Sequence, residues 1–210
     1  MRLTAKRPLV CLITDGSLNI QNYASGAARL TRIIEAAVRH KIPLVQIREK
    51  GVPARLVHDL VGEAAALTRG SSTRLLINDR ADIAIAAGAD GVQLTEASMA
   101  PDVVRGFAPE GFIIGVSTHS LDGVMAARSR GADFALFGTV FPSPGKGTGV
   151  GLDELARVCS AAAPLPVLAV GGIDAANYNS VLDAGAAGFA AIRYLNDAEE
   201  MRSLARELDL

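Results

Sequence analysis

Four cations in this sequence stand at or just beyond the ends of apolar runs: Arg48 and Lys50 in Gln46-Ile47-Arg48-Glu49-Lys50, Lys146 in Ser143-Pro144-Gly145-Lys146, and Arg193 after Ile192. Asn78-Asp79, Ser117-Thr118-His119 and Gly171-Gly172 close other runs with polar groups or glycine. Side chains of these types suit an anionic ligand, most simply a phosphate ester or a diphosphate. Cations and amides hold its oxygens, and glycine lets a phosphate approach the backbone amides closely. Simpler readings stand beside each piece. Arg48-Glu49-Lys50 could be a solvated strand end, Asp79 the cap of the next helix, and Phe141–Gly151 a plain surface loop. That loop is rich in proline and glycine and carries Lys146, which is also the composition of a flap that closes over phosphate. His119 follows a strand end but has no Cys or carboxylate at metal-ligand spacing, whereas His40 and His58 fall in helical stretches.

The groups are positioned by a repeated unit. Gly88-Ala89-Asp90, Gly131-Ala132-Asp133 and Gly185-Ala186-Ala187 each end a helical stretch and lead into an apolar run. The first glycine suits the left-handed position after a helix, and the run that follows reads as a buried strand. Eight strands are expected: Leu9–Asp15, Leu44–Glu49, Arg74–Asp79, Gly91–Leu94, Phe112–Ser117, Phe134–Val140, Pro166–Gly171 and Gly188–Ile192. Most are continuously apolar, as parallel strands covered on both faces are. Helices are expected over Gly26–His40, Pro53–Arg69, Ala81–Ala87, Pro101–Phe107, Leu121–Arg130, Leu152–Ala162, Ala175–Ala184 and Asp197–Leu208, with Ser120 and Asp174 as N-caps. Eight βα units predict an α/β fold of the (β/α)8 TIM barrel type, a single domain over residues 1–210. A doubly wound open sheet fits less well, because Asp15-Gly16-Ser17 after the first run is not a dinucleotide-binding turn. In a barrel, the ends of the strands form the active face.

Bulk composition narrows the function. The 210 residues carry 21 Lys and Arg against 22 Asp and Glu, a net charge of −1, which argues against a nucleic-acid partner. Apolar runs such as Leu9–Ile13 fall far short of the ~20 residues that span a bilayer, and the basic opening is followed by too short a run for a signal peptide. Cys11 and Cys159 sit mid-strand and mid-helix, so neither reads as a nucleophile or as half of a disulfide. A soluble cytoplasmic globular protein is the expectation.

Taken in order, Gln46-Ile47-Arg48-Glu49-Lys50, Ile77-Asn78-Asp79-Arg80, Gly88-Ala89-Asp90-Gly91-Val92-Gln93-Leu94, Gly115-Val116-Ser117-Thr118-His119-Ser120, Gly138-Thr139-Val140-Phe141-Pro142 and Val170-Gly171-Gly172-Ile173 resemble the thiamine phosphate synthase family. The resemblance runs through essentially the whole barrel. It implies a transferase, compatible with a homo-oligomer, that joins two small-molecule substrates, hydroxymethylpyrimidine diphosphate and thiazole phosphate, and releases diphosphate, using Mg2+. It also implies roles: Arg48, Lys50, Asn78 and Lys146 hold the diphosphate, Asp79 binds Mg2+, and Gln46 and Ser117 face the pyrimidine. Gly171, Gly172, Ile192 and Arg193 surround the thiazole phosphate with help from Ser143, and His119 lies beside the substrates.

The sequence also departs from that pattern. Where the family has H-x-G-Q-[ED]-D, this chain has Gln93-Leu94-Thr95-Glu96-Ala97-Ser98, which puts Ser98 at the second metal-ligand position. A hydroxyl is a poor substitute for a carboxylate on a hard cation. Arg193 replaces a small serine. A sister group of thiazole tautomerases moves a proton with a histidine at the position of His119, so an isomerase is the alternative. A non-catalytic binder of thiamine precursors is a third.

Overall fold

A computed structural model describes residues 7–143 and 145–210; the basic opening residues 1–6 and Pro144 of the flap lie outside them. Strands and helices alternate through the chain. They run β1 (Leu9–Ile13), α1 (Tyr23–Arg39), β2 (Leu44–Ile47), α2 (Ala54–Thr68), β3 (Arg74–Asn78), α3 (Ala81–Ala86), β4 (Gly91–Thr95) and α4 (Pro101–Arg105). The second half continues with β5 (Ile113–Thr118), α5 (Leu121–Ser129), β6 (Phe134–Gly138), α6 (Gly151–Ala162), β7 (Val167–Val170), α7 (Tyr178–Asp183), β8 (Gly188–Ala191) and α8 (Ala198–Glu207). Every strand pairs in parallel with its neighbours in chain order, and β1 closes on β8 with Cys11 opposite Ala190. The fold is a closed (β/α)8 barrel. No helix among the described residues is long and apolar enough to cross a membrane.

The alternation of each strand divides the core in two. Leu9, Cys11, Ile13, Leu44, Leu76, Ile113, Phe134, Leu136, Leu168 and Ala190 pack inside the barrel, and the larger cluster lies between the strands and the helices. Burial pushes the Cys11 thiol up to about 12, so it is an inert filler of the interior.

The glycine junctions act as expected, with Gly88, Gly131 and Gly185 at φ values of 77°, 78° and 91°. The acidic residue that follows has a second job. Asp90 accepts from the Leu75 amide at 2.8 Å and Asp133 from the Ile114 amide at 2.7 Å, which ties adjacent strands together at the bottom of the barrel. Two helix starts differ from expectation. α1 begins at Tyr23, and Gly26 lies inside it because a Cβ there would stand 2.2 Å from Leu18 Cδ2. α7 begins at Tyr178 with Asn177 at its cap, while Asp174 accepts from the Ala176 amide in a separate preceding turn. Ser120 does cap α5, accepting from the Gly123 amide.

Candidate active site

Polar side chains replace apolar ones in the barrel interior just below the mouth. Gln46 on β2 donates to Asn78 Oδ1 on β3 at 3.3 Å, and Gln93 on β4 donates to Ser117 Oγ on β5 at 3.0 Å. Gln46 and Gln93 are buried, at 2% and 0% exposure, and the Oε1 atom of each has no partner among the described residues. A buried acceptor left unmade costs about 1–3 kcal/mol, so this floor is unfinished as it stands and suits a ligand that brings donors or water.

Above the floor the strand ends open into neighbouring hollows. Lys50, Asn78, Asp79 and Arg80 line one of about 310 Å3 at the β2 and β3 ends; its apolar wall of Ile47, Val57, Ile77 and Ile83 lies on the helix side of the strands. His119, Lys146 and the flap backbone from Gly147 to Val150 line a wide one of about 540 Å3 beside Gly138. Ser143, Gly171, Gly172, Ile192 and Arg193 line a third of about 270 Å3. Gln46 and Ser117 belong to the floor beneath them. Arg48 lines none of these hollows. Its amide is fixed by Thr14 Oγ1 at 2.8 Å, and its guanidinium lies toward Gly16 of the β1–α1 loop.

Arg48, Lys50, Lys146 and Arg193 form no ion pair with any described residue. Some cations elsewhere are paired, Arg80 with Asp82, for instance, and Arg29 with Asp15. Others, among them Arg32, Arg55 and Arg130, make no ion pair with a described residue either. Burial would raise the Asp15 carboxyl, but hydrogen bonds from Ser17 and Arg29 outweigh it and hold that group below the usual carboxylate range. Four unpaired cations at the strand ends are available to an anionic ligand, although the carboxylates of Glu49 and Asp79 lie beside Lys50.

Asp79 directly follows β3 at a φ of 62°, a left-handed backbone uncommon for a residue with a side chain. Its carboxylate has no hydrogen-bond partner among the described residues, whereas its amide continues the ladder to Gln93 O. Ser98 is differently placed: its hydroxyl accepts from the Thr95 amide at 2.7 Å and lies 2.8 Å from Thr95 Oγ1, so it closes the turn after β4. Glu96 turns toward the start of α5, where its Oε1 accepts from the His119 amide. No group of three or more metal-ligating side chains exists among the described residues. The unpartnered Asp79 carboxylate is the group at these strand ends that could serve a hard cation, together with ligand oxygens.

The third hollow has backbone donors. The amides of Gly172 and Arg193 donate to no acceptor among the described residues. The glycines are also needed for the flap above them: a Cβ on Gly171 would stand 2.5 Å from Thr139 Cγ2, and one on Gly172 would stand 2.6 Å from Pro142 O. The flap is pinned at its base, with Val140 and Phe141 donating to Val170 O and Gly171 O and Val150 donating to Thr139 O. Lys146 lies in the exposed tip. His119 donates from Nδ1 to Gly138 O, which leaves Nε2 free on the side of the Lys146 hollow.

Sequence reasoning passed over three of these residues. Glu49 is buried and accepts from the Gly16 and Leu18 amides at 3.1 and 2.9 Å, so it shapes the β1–α1 loop. Thr14 fixes Arg48 from the neighbouring strand. Gln93 completes the floor, and a polar side chain inside the apolar run Gly91–Leu94 was the signal that could have found it.

Residues 10–195 match the family model described as thiamine monophosphate synthase. The chain belongs to the thiamine monophosphate synthase family. A protein of Geobacter sulfurreducens, named provisionally as a thiamine-phosphate synthase, is 43% identical over 94% of this chain and 91% of its own. A thiamine-phosphate synthase of Roseiflexus sp. (strain RS-1) is 36% identical over 95% of this chain and 83% of its own. Among solved structures, the thiamine phosphate pyrophosphorylase of Pyrococcus furiosus superposes with a TM-score of 0.78 at 30% identity, over 95% of this chain and 96% of that one.

Proposed function

We propose that this protein is a thiamine-phosphate synthase that couples hydroxymethylpyrimidine diphosphate to thiazole phosphate. The observation that carries the reading is the set of unpaired cations on the mouth of a barrel that belongs to this family. Anchored over the amide floor, the pyrimidine ring would lie with its diphosphate among Lys50, Asn78 and Lys146, and Arg48 would approach from the β1 side. The thiazole phosphate would occupy the hollow of Gly171, Gly172, Ile192 and Arg193, with Ser143 at its edge.

The chemistry asked of the chain is electrostatic. The bond between the pyrimidine methylene carbon and the diphosphate oxygen breaks, and its electron pair leaves with the diphosphate. The thiazole nitrogen then gives its lone pair to the methylene carbon. No strong base is required. Positioned donors stabilise the charge gathering on the leaving group, each worth roughly 2.7–4 kcal/mol in such sites. Holding the two rings face to face turns an encounter of two solutes into a reaction within one complex.

Mg2+ fits this arrangement through the unpartnered Asp79 carboxylate, and when bound it neutralises diphosphate oxygens and eases their departure. With Ser98 committed to Thr95, Asp79 would be the main protein ligand and water and substrate oxygens would supply the rest. Complementation tests the function: the gene should restore growth without thiamine to a bacterium lacking its own synthase. A Lys50→Ala variant should restore it poorly. Failure of the well-expressed wild-type protein would contradict the proposal.

A further inference from the structure

The pair Gln93 and Ser117 carries more than a place in the floor. A serine hydroxyl has one proton to give and two lone pairs to receive with. Gln93 Nε2 donates to Ser117 Oγ at 3.0 Å, and Ser117 Oγ has no other partner among the described residues. Its proton is therefore left for whatever sits above the floor. The opposite amide orientation would leave both N–H donors of Gln93 unmade, where the present one leaves one N–H and the carbonyl, and orphaned donors are the rarer and less favourable case. The amide is also confined. A Cβ on Gly115 would stand 2.2 Å from Gln93 Oε1 and 2.4 Å from Phe134 Cζ, so the absence of a side chain at Gly115 makes the room that Gln93 fills.

We propose that Gln93 is a positioning residue that turns the Ser117 hydroxyl into an outward-facing donor and so selects a heteroaromatic ring presenting an unprotonated ring nitrogen. This rests on the placement of the pyrimidine over the floor. Gln93 itself touches no substrate in this account. It acts by occupying one lone pair of Ser117 from below, which fixes the direction of the remaining proton. A ring carrying N–H at that point could meet only the one remaining lone pair of Ser117 and would leave the hydroxyl proton unmade, so it would be disfavoured.

Calorimetric titration with hydroxymethylpyrimidine diphosphate and, separately, with inorganic diphosphate tests this on the wild type, Gln93→Met, Ser117→Ala and the double variant. Each single change should weaken the pyrimidine diphosphate about tenfold, and the double variant should be no weaker than the worse single one, because both remove the same contact. Inorganic diphosphate should bind all four proteins within about twofold. Gln93→His, which restores an N–H donor, should recover most of the loss. Gln93→Met removes an unmade buried acceptor, so its thermal midpoint should not fall. Penalties that multiply to about a hundredfold in the double variant would overturn the proposal, as would equal weakening of inorganic diphosphate. A wild-type protein with no preference for the pyrimidine diphosphate over inorganic diphosphate would instead refute the synthase reading on which the proposal stands.

Discussion

Gln46 donates to Asn78 Oδ1 across the β2–β3 boundary, and this decides which end of the Asn78 amide is available above the floor. With its oxygen occupied from below, Asn78 is left with an NH2 group at the hollow it shares with Lys50 and Asp79. The side chain is thereby a preset donor for an anionic oxygen. Asn78→Asp keeps the size and removes the donor, and it places a second negative charge beside Asp79. Turnover should fall at least about a hundredfold, in line with the roughly 2.7–4 kcal/mol lost with one such donor. Steady-state kinetics with a circular dichroism control for folding would check it.

Replacing Lys50 or Lys146 by Ala should lower turnover far more than it lowers thiazole phosphate affinity. Both cations are unpaired and line hollows separate from that of Gly172 and Arg193. A kcat loss with an unchanged KM for the thiazole phosphate is the expected pattern. Unchanged kcat in both variants would make these cations a solvated rim.

Arg193 lines the amide-rich hollow and makes no ion pair with Asp197 or Glu200, the neighbours that would have held it on the surface. A guanidinium on the thiazole phosphate is worth about 1.5–3 kcal/mol as a charge-assisted contact. Arg193→Ala should weaken thiazole phosphate binding about tenfold or more, and Arg193→Lys should recover part of it. Equal affinity in all three proteins would leave the phosphate to the backbone amides alone.

Metal binding should depend on substrate. With the Asp79 carboxylate unpartnered among the described residues and Ser98 engaged by Thr95, Mg2+ should bind weakly to the empty protein and tightly once diphosphate is present. Asp79→Asn should raise the Mg2+ concentration needed for half-maximal rate. Tight Mg2+ binding to the ligand-free protein would contradict this.

At the other end of the barrel the prediction concerns stability alone. Asp133 serves the Ile114 amide and Arg105, and both charged partners are about a third exposed, so most of its worth is the backbone contact. Asp133→Ala should cost about 1–3 kcal/mol, seen as a lower urea midpoint with an unchanged slope. Activity of the remaining folded protein should be normal.

The sequence was legible where burial is uniform. β1, β6 and β7 are apolar on both faces because helices cover one side and the barrel interior the other, so their runs stand out without any alternation. The strand ends were legible for the same reason, since polar residues such as Asn78 and Ser117 interrupt an apolar background. Helix starts were harder. Gly26 looked like a boundary, yet it sits within α1 to admit Leu18, a contact between segments that no local pattern carries. Direction was harder still. Lys50 and Arg48 are two residues apart in sequence, but only Lys50 faces the Asp79 hollow, because Thr14 on the neighbouring strand fixes the backbone at Arg48. The commitment of Ser98 to Thr95 is likewise a matter of one turn's geometry.

The most direct test of the account is a single reaction: purified protein, hydroxymethylpyrimidine diphosphate, thiazole phosphate and Mg2+, with thiamine phosphate and diphosphate both quantified over time. The account predicts one diphosphate released for each thiamine phosphate formed, and neither product when either substrate is left out. Diphosphate release without thiamine phosphate, or no turnover by folded protein with both substrates present, would contradict it.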